Sequence, residues 1–314
     1  MGISGQDGAY LARFLLDKGY EVIGTSRDAQ AARLDGLARL GILERVRVES
    51  MSPTDFRSVM EVVSRWMPGE VYNLSGQSSV ALSFAQPVDA LNSIMNGTVT
   101  LLEVIRFLDR GIRFYNAGSS ECFGEVKGGL ADEDTPFRPR SPYAAAKASA
   151  HWMVANYREG YGLFACTGIL FNHESPLQPE RFVTRKVALA AAQIRAGRQE
   201  RLVLGNMGIK RDWGWAPEYV EAMWLMLQQP EPRDFVIATG ILSSLEELVA
   251  TAFETAGLDW RKHVEIDASL KRPTDLAGFA GDAARARQAL GWKPRLVMPE
   301  IARMLVNAEL SAHQ

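Results

Sequence analysis

Four side chains in two short stretches have the types that proton and hydride chemistry needs. In "SPYAAAK", Tyr143 and Lys147 stand four residues apart, so on a helix they share one face. An ammonium group near a phenol favours the phenolate. The free phenol titrates near ~10, and lowering it by ~3 units takes ~4 kcal/mol of differential stabilisation. A Tyr-x-x-x-Lys pair is common by chance, so its position in the fold gives it meaning. In "NAGSSECFG", Ser119 could hydrogen-bond a substrate hydroxyl beside Tyr143. Glu121 lies two residues on. It is either a solvated loop carboxylate or a base that removes a proton from carbon made acidic by a neighbouring ketone. Simple alcohol oxidation or epimerisation has no need of that second base; elimination does.

These groups need strand ends and helix starts to hold them. "YEVIGTS" (20–26), "RVRVES" (45–50), "EVYNLS" (70–75), "IRFYNAGS" (112–119) and "LFACTGILF" (163–171) read as strands. Between them, 9–19, 53–66, 89–108 and 142–160 read as amphipathic helices. This alternation predicts an α/β fold, a Rossmann-like doubly wound parallel sheet with ligands beyond the carboxyl ends of its strands. After residue 171 the pattern loosens into helices near 184–197, 216–229, 243–256 and 297–309, with short strands near 201–204 and 234–238. A dinucleotide-binding unit over 1–171 and a smaller, mostly helical substrate lobe over 172–314 follow, with some exchange of chain between them.

The stretch "GISGQDG" places Gly2, Gly5 and Gly8 immediately before an amphipathic helix. Such a turn lets a pyrophosphate approach the backbone at the positive end of a helix, and Ser4, Gln6 and Asp7 share it. A strand normally precedes the turn, and none stands in front of this one. Arg27 follows the strand at 20–26, where a dinucleotide's adenosine ribose lies. Arginine there favours a 2′-phosphate and hence NADP, while the adjacent Asp28 keeps NAD open.

Bulk properties set limits. The chain has 314 residues, 47% of them apolar and 23% charged, and a formal net charge of −2, which gives no global reason for nucleic-acid or membrane binding. Its two cysteines, Cys122 and Cys166, suggest neither a metal cluster nor a disulfide framework. No metal is expected. A cytoplasmic setting is, with no signal peptide or membrane span.

With these pieces assembled, the sequence resembles the extended short-chain dehydrogenase/reductase superfamily and, within it, the GDP-mannose 4,6-dehydratase family. The resemblance spans nearly the whole chain, on "GISGQDGAYLA", "FYNAGSSECFG", "PFRPRSPYAAAK", "NHESP", "RFVTRK", "RDWG" and "RPTD" among others. It implies that Tyr143, aided by Lys147 and Ser119, takes the C4 hydroxyl proton while hydride passes to NADP. Glu121 then removes the C5 proton, water leaves from C6, and the hydride returns to C6. It adds Leu74, Ser75, Gln77, Ser78 and His173 to the cofactor contacts and assigns Asn172, Lys186, Arg211 and Arg272 to the sugar nucleotide. A homodimer or homotetramer is implied too.

Departures accompany the resemblance. Met1 stands where the family has a threonine after a central strand; the expectation is a start assigned too late or a truncated chain, not a new fold. "AQAAR" replaces a serine-rich stretch, Ser50 replaces an acidic residue, Ser119 replaces threonine, and Leu177 and Gln178 stand where arginines are usual. The alternatives are another sugar-nucleotide reductase or epimerase, which Glu121 argues against, and a non-catalytic dinucleotide-binding scaffold. The complete set of Ser119, Glu121, Tyr143 and Lys147 argues against the scaffold.

Overall fold

The computed structural model describes residues 1–108, 111–267, 269 and 278–312. In chain order its strands are β1 (Ile23–Ser26), β2 (Arg47–Ser50), β3 (Glu70–Asn73), β4 (Arg113–Ala117), β5 (Leu130–Ala131), β6 (Ala165–Leu170), β7 (Asn172–Glu174), β8 (Leu202–Leu204), β9 (Lys210–Trp215), β10 (Phe235–Ile237), β11 (Leu242–Ser244), β12 (Val264–Ile266) and β13 (Ala280–Gly281). Its α-helices are α1 (Gln6–Asp17), α2 (Asp35–Arg39), α3 (Phe56–Trp66), α4 (Val80–Ala85), α5 (Pro87–Leu91), α6 (Gly97–Leu108), α7 (Pro142–Tyr161), α8 (Val183–Arg195), α9 (Ala216–Leu227), α10 (Leu245–Thr255), α11 (Ala284–Leu290) and α12 (Met298–Ala312).

The central strands are apolar on both sides because helices cover both faces. Strand β6 is buried throughout. It pairs in parallel with β4 and β10, and β3 continues the sheet beyond β4, giving the order β10-β6-β4-β3. Helices α3 and α6 pack on one face through Val59, Val63, Leu101 and Ile105 against Phe114. Helices α1 and α9 pack on the other, through Leu15, Tyr219 and Met223 against Tyr72 and Tyr115. Strands β1 and β2 form a separate parallel ladder, from Ile23 opposite Arg47 to Ser26 opposite Ser50. The expected parallel sheet is thus present as two ladders. A cavity of about 450 Å³ lies between them, lined by β1 and β3 residues.

Two sequence expectations need correction. The single helix expected over 89–108 is broken: α5 leads through a π-helical stretch, Asn92–Asn96, into α6. Side chains compete with the backbone there, with Ser93 Oγ donating to Asp89 O and Thr98 Oγ1 to Ile94 O, each at 2.7 Å. The segment after 172 is mostly helical among its described elements, as expected, but holds more strand than the expected pieces near 201–204 and 234–238. It carries the three-stranded order β11-β9-β7 and the pair β12-β8. Those strands are three to six residues long, and several are polar, so periodicity had little to register. Buried Asp212 ties this region together, accepting from Thr239 N at 2.9 Å, Gly240 N at 2.8 Å and Gly281 N at 3.2 Å. No described helix is long and apolar enough to cross a membrane.

Candidate active site

At the carboxyl end of β4 the chain turns at Gly118, packed so closely on β6 that a Cβ there would lie 2.7 Å from Thr167 Cγ2. Ser119 then caps a short 3₁₀ turn, Ser120–Phe123, accepting from Glu121 N at 3.3 Å. Across from it α7 begins. Ser141 Oγ accepts from Ala144 N at 3.1 Å and Pro142 occupies the first turn, so the helix start that carries Tyr143 is well defined. One turn on, Lys147 is buried. Its Nζ donates to Ala117 O at 2.7 Å and stands 5.8 Å from the Tyr143 ring centroid.

Burial pushes the Tyr143 phenol up, against the downward pull of the Ser119 hydroxyl, and brings the Lys147 ammonium down to about 8. In the chain by itself burial outweighs the downward pull on the phenol; the expected lowering counts a bound nicotinamide's positive charge beside Lys147. One of the three N–H donors of Lys147 goes to the Ala117 carbonyl, while Cys122, Glu121 and Asp7 all oppose ionisation of the phenol.

Glu121 lines a cavity of about 10 Å³ together with Phe171, Asn172, Arg211, Asp212 and Phe279. Three residues separated by up to ninety positions in sequence thus meet: the candidate base and two of the four expected substrate contacts. Strand β7 delivers Asn172 and β9 delivers Arg211, paired in parallel with Asn172 opposite Trp213. Arg211 Nη1 also donates to Lys210 O at 2.7 Å. Lys186 is not part of this group; on α8, its Nζ donates to Val203 O at 2.7 Å, toward β8. Arg272 lies outside the described residues.

The glycine turn packs on the chain leaving β3. Gly2 has φ +78°, and a Cβ on it would lie 2.7 Å from Leu74 O; one on Gly8 would lie 2.3 Å from Gly2 O. Gly5 donates to Gly2 O at 3.0 Å and is the N-cap of α1. Ser4 is exposed beside it. In the loop after β3, Ser75 Oγ donates to Asn73 Oδ1 at 2.7 Å, Gln77 Oε1 accepts from Ser79 N at 2.7 Å, and Ser78 Oγ accepts from Arg181 at 3.3 Å. Arg27 is exposed at the end of β1. Asp28 is used locally, accepting from Gln30 N at 2.9 Å and Ala31 N at 3.1 Å.

His173 and Asp7, both expected beside the cofactor, bind each other. Nε2 of His173 lies 2.9 Å from Asp7 Oδ2, Nδ1 lies 2.8 Å from Phe171 O, and the ring stacks on Tyr219 with centroids 4.5 Å apart. Burial opposes the imidazolium, yet the Asp7 carboxylate and the Phe171 carbonyl raise His173 to about 9. Burial likewise opposes the Asp7 carboxylate, and His173 more than offsets it, holding Asp7 low. Gln6 adds a second tie between the turn and β7, donating to His173 O at 3.2 Å and accepting from Ser175 Oγ at 2.6 Å. Ser175, Arg181, Asp212 and Tyr219 were not singled out from the sequence. The first three lie in "NHESP", "RFVTRK" and "RDWG", so their signal was the motif rather than the residue.

The sequence profile described as GDP-mannose 4,6 dehydratase matches residues 1–305. The chain is 45% identical to GDP-mannose 4,6 dehydratase 1 of Arabidopsis thaliana, over 98% of this chain and 88% of that protein. Among solved structures it is similar to the UDP-glucose 4-epimerase of Thermus thermophilus in complex with NAD, with a TM-score of 0.85, 26% identity and coverage of 100% of this chain and 98% of that one. It also shares its fold with RMD of Pseudomonas aeruginosa complexed with NADPH, with a TM-score of 0.82, 21% identity and coverage of 99% and 98%.

Proposed function

The chain belongs to the GDP-mannose 4,6-dehydratase family, and on that premise we propose that it is a hydro-lyase converting GDP-mannose to GDP-4-keto-6-deoxy-mannose with NADP held in the glycine turn. The residues present fit a dinucleotide: Gly2 and Gly8 leave no room for a Cβ, and the amino end of α1 faces the turn. Exposed Arg27, beside an Asp28 already engaged by two amides, supports NADP over NAD. When bound, the cofactor accepts hydride from C4 and returns it to C6.

The chain's own groups then have distinct tasks. Ser119 and Tyr143 hold the C4 hydroxyl, and Tyr143 Oη takes its proton. Lys147, 5.8 Å from the ring, supplies positive charge to the phenolate. Glu121 removes the C5 proton and passes it to the C6 hydroxyl, which leaves as water, and the proton held by Tyr143 goes to C5 when hydride reaches C6. Asn172 and Arg211 orient the sugar nucleotide against Glu121. Lys186 and Arg272 are assigned to the guanosine diphosphate by resemblance alone. In this reading residues 1–171 hold the dinucleotide and 172–314 the substrate. Exposed Val88, Leu91, Phe107 and Trp152 on α5, α6 and α7 support a homodimer or homotetramer.

The observation that carries the reading is Glu121 in one cavity with Asn172 and Arg211, two residues from Ser119. Incubation with GDP-mannose and catalytic NADP, followed by mass analysis of the sugar product, tests it. Loss of one water is expected. Oxidation or epimerisation without water loss would replace the dehydratase with a reductase or epimerase, and cofactor binding without any turnover would leave a scaffold.

A further inference from the structure

Strand β7 ends at Glu174 and helix α8 begins at Val183, and the chain between them crosses from the glycine turn to the loop after β3. At the turn, Gln6 Nε2 donates to His173 O at 3.2 Å and Gln6 Oε1 accepts from Ser175 Oγ at 2.6 Å. Leu177 packs into the apolar cluster of Ile3, Ala9 and Leu37. At the far end, Arg181 Nη2 donates to Ser78 Oγ at 3.3 Å, joining residues 103 positions apart. The loop that carries Ser78 also packs on the turn, with Leu74 O 2.7 Å from where a Cβ on Gly2 would lie. Turn, loop and crossing segment are thus fastened to one another. Between His173 and Arg181 the sequence "ESPLQPE" holds no cation. The basic residues that follow are engaged elsewhere: Arg185 pairs with buried Glu309, and Lys186 Nζ donates to Val203 O at 2.7 Å. Arg181 is exposed, its guanidinium lies 5.0 Å from the Phe182 ring centroid, and among the described residues no carboxylate pairs with it.

We propose that Arg181 is a binding residue for the diphosphate of the dinucleotide, an assignment that rests on the glycine turn as the cofactor's site. The diphosphate brings two negative charges. The turn answers them with backbone amides and a helix end worth ~0.5 of an elementary charge. Its own charged groups cancel, Asp7 against His173. Arg27, at the end of β1, stands where the adenosine ribose lies and is suited to the 2′-phosphate instead. Arg181 adds a full charge on a planar fork whose parallel N–H groups match two phosphate oxygens. Ser78 Oγ and the Phe182 ring hold that fork at the loop without neutralising it. An exposed hydrogen bond to a hydroxyl contributes little, so phosphate oxygens displace it readily. The same contact ties the crossing segment to a cofactor that must stay in place between giving up hydride from C4 and returning it to C6.

The test strips any carried dinucleotide and titrates NADPH and NADH, read by nicotinamide fluorescence, into the unaltered chain, Arg181→Ala, Arg181→Lys and Arg27→Ala. Arg181→Ala is expected to raise Kd ~10–100-fold for both dinucleotides, because both carry the diphosphate. Arg181→Lys is expected to recover part of that loss, keeping the charge without the fork. Arg27→Ala is expected to weaken NADPH alone. The thermal midpoint of the dinucleotide-free chain should barely move in Arg181→Ala, since the side chain is exposed. An unchanged Kd, a loss confined to NADPH, or a loss accompanied by a lowered midpoint of the dinucleotide-free chain overturns the proposal. Failure of the unaltered chain to bind either dinucleotide overturns the cofactor reading and this proposal with it. Binding of equal strength by the unaltered chain and Arg181→Ala overturns this proposal alone.

Discussion

The cavity beside Glu121 measures about 10 Å³ and the slot between β1 and β3 about 450 Å³, and their linings differ as much as their sizes. The first is closed by Glu121, Asn172, Arg211 and Asp212, of which Arg211 is directed by the Lys210 carbonyl and Asp212 by backbone amides of Thr239, Gly240 and Gly281. The second is walled by leucines and valines, which fill space without specifying direction, between two backbone edges that do specify it. Polar groups at the strand ends are positioned by partners within this chain. At the centre of the sheet, the same chain supplies an apolar wall and two half-used edges. The difference separates two kinds of order: directional hydrogen bonds hold Asp212 among its amide donors, while apolar side chains line the space between the two ladders.

The sharpest way to break the comparison is at the site. Glu121→Gln is expected to lower dehydration by ~10²–10⁴-fold while leaving oxidation at C4, seen as reduced cofactor by absorbance. Tyr143→Phe is expected to abolish both signals. Equal behaviour of the two variants would show that Glu121 is not a separate base. Neither change should move the thermal midpoint by much, since neither removes buried apolar volume.

Next in size is the tie between the glycine turn and β7. Asp7→Asn leaves His173 without its carboxylate and is expected to cost ~3 kcal/mol in urea unfolding at pH 7. His173 is raised in the folded chain, so its contribution is complete below about its ordinary value of ~6.5 and disappears as pH climbs through about 9. Asp7 is lowered, so its contribution is present above its ordinary value and lost as pH falls. Lys147 has the opposite sign from His173: lowered to about 8, it makes stability rise with pH between about 8 and its ordinary ~10.4. Urea midpoints across pH 6 to 10 for His173→Gln and Lys147→Met should therefore change slope in opposite directions. Parallel changes would refute the pairing of Asp7 with His173 as the cause.

The smallest expected effect compares two leucines. Leu248 sits in the packed core between α8, α10 and α12, and Leu101 borders the slot, though both are buried. Leu248→Ala is expected to cost ~3–4 kcal/mol and Leu101→Ala ~1–2 kcal/mol less, because part of the Leu101 surface already faces a void. Equal costs would show that the cavity beside Leu101 does not reduce the contacts its side chain makes.

The sequence by itself determined the parallel α/β plan, the start of α7 and the residue types at the candidate site. Each of these is written in short range, as alternating apolar runs, a glycine turn, Ser141-Pro142 before α7, or Tyr143 and Lys147 one helical turn apart. Short range is also where it stopped. No local pattern placed Asn172 and Arg211 against Glu121, paired His173 with Asp7, or made Asp212 the knot joining β9 to the chain beyond β10 and at β13. Those contacts span tens to more than a hundred residues, and the strands that deliver them are too short for periodicity to register. Tertiary structure likewise decided the titration. Lys147 is buried and Tyr143 and His173 largely so, but only His173 hydrogen-bonds a carboxylate. Burial alone pushes a phenol up and an ammonium down, and a paired charge is needed to reverse it.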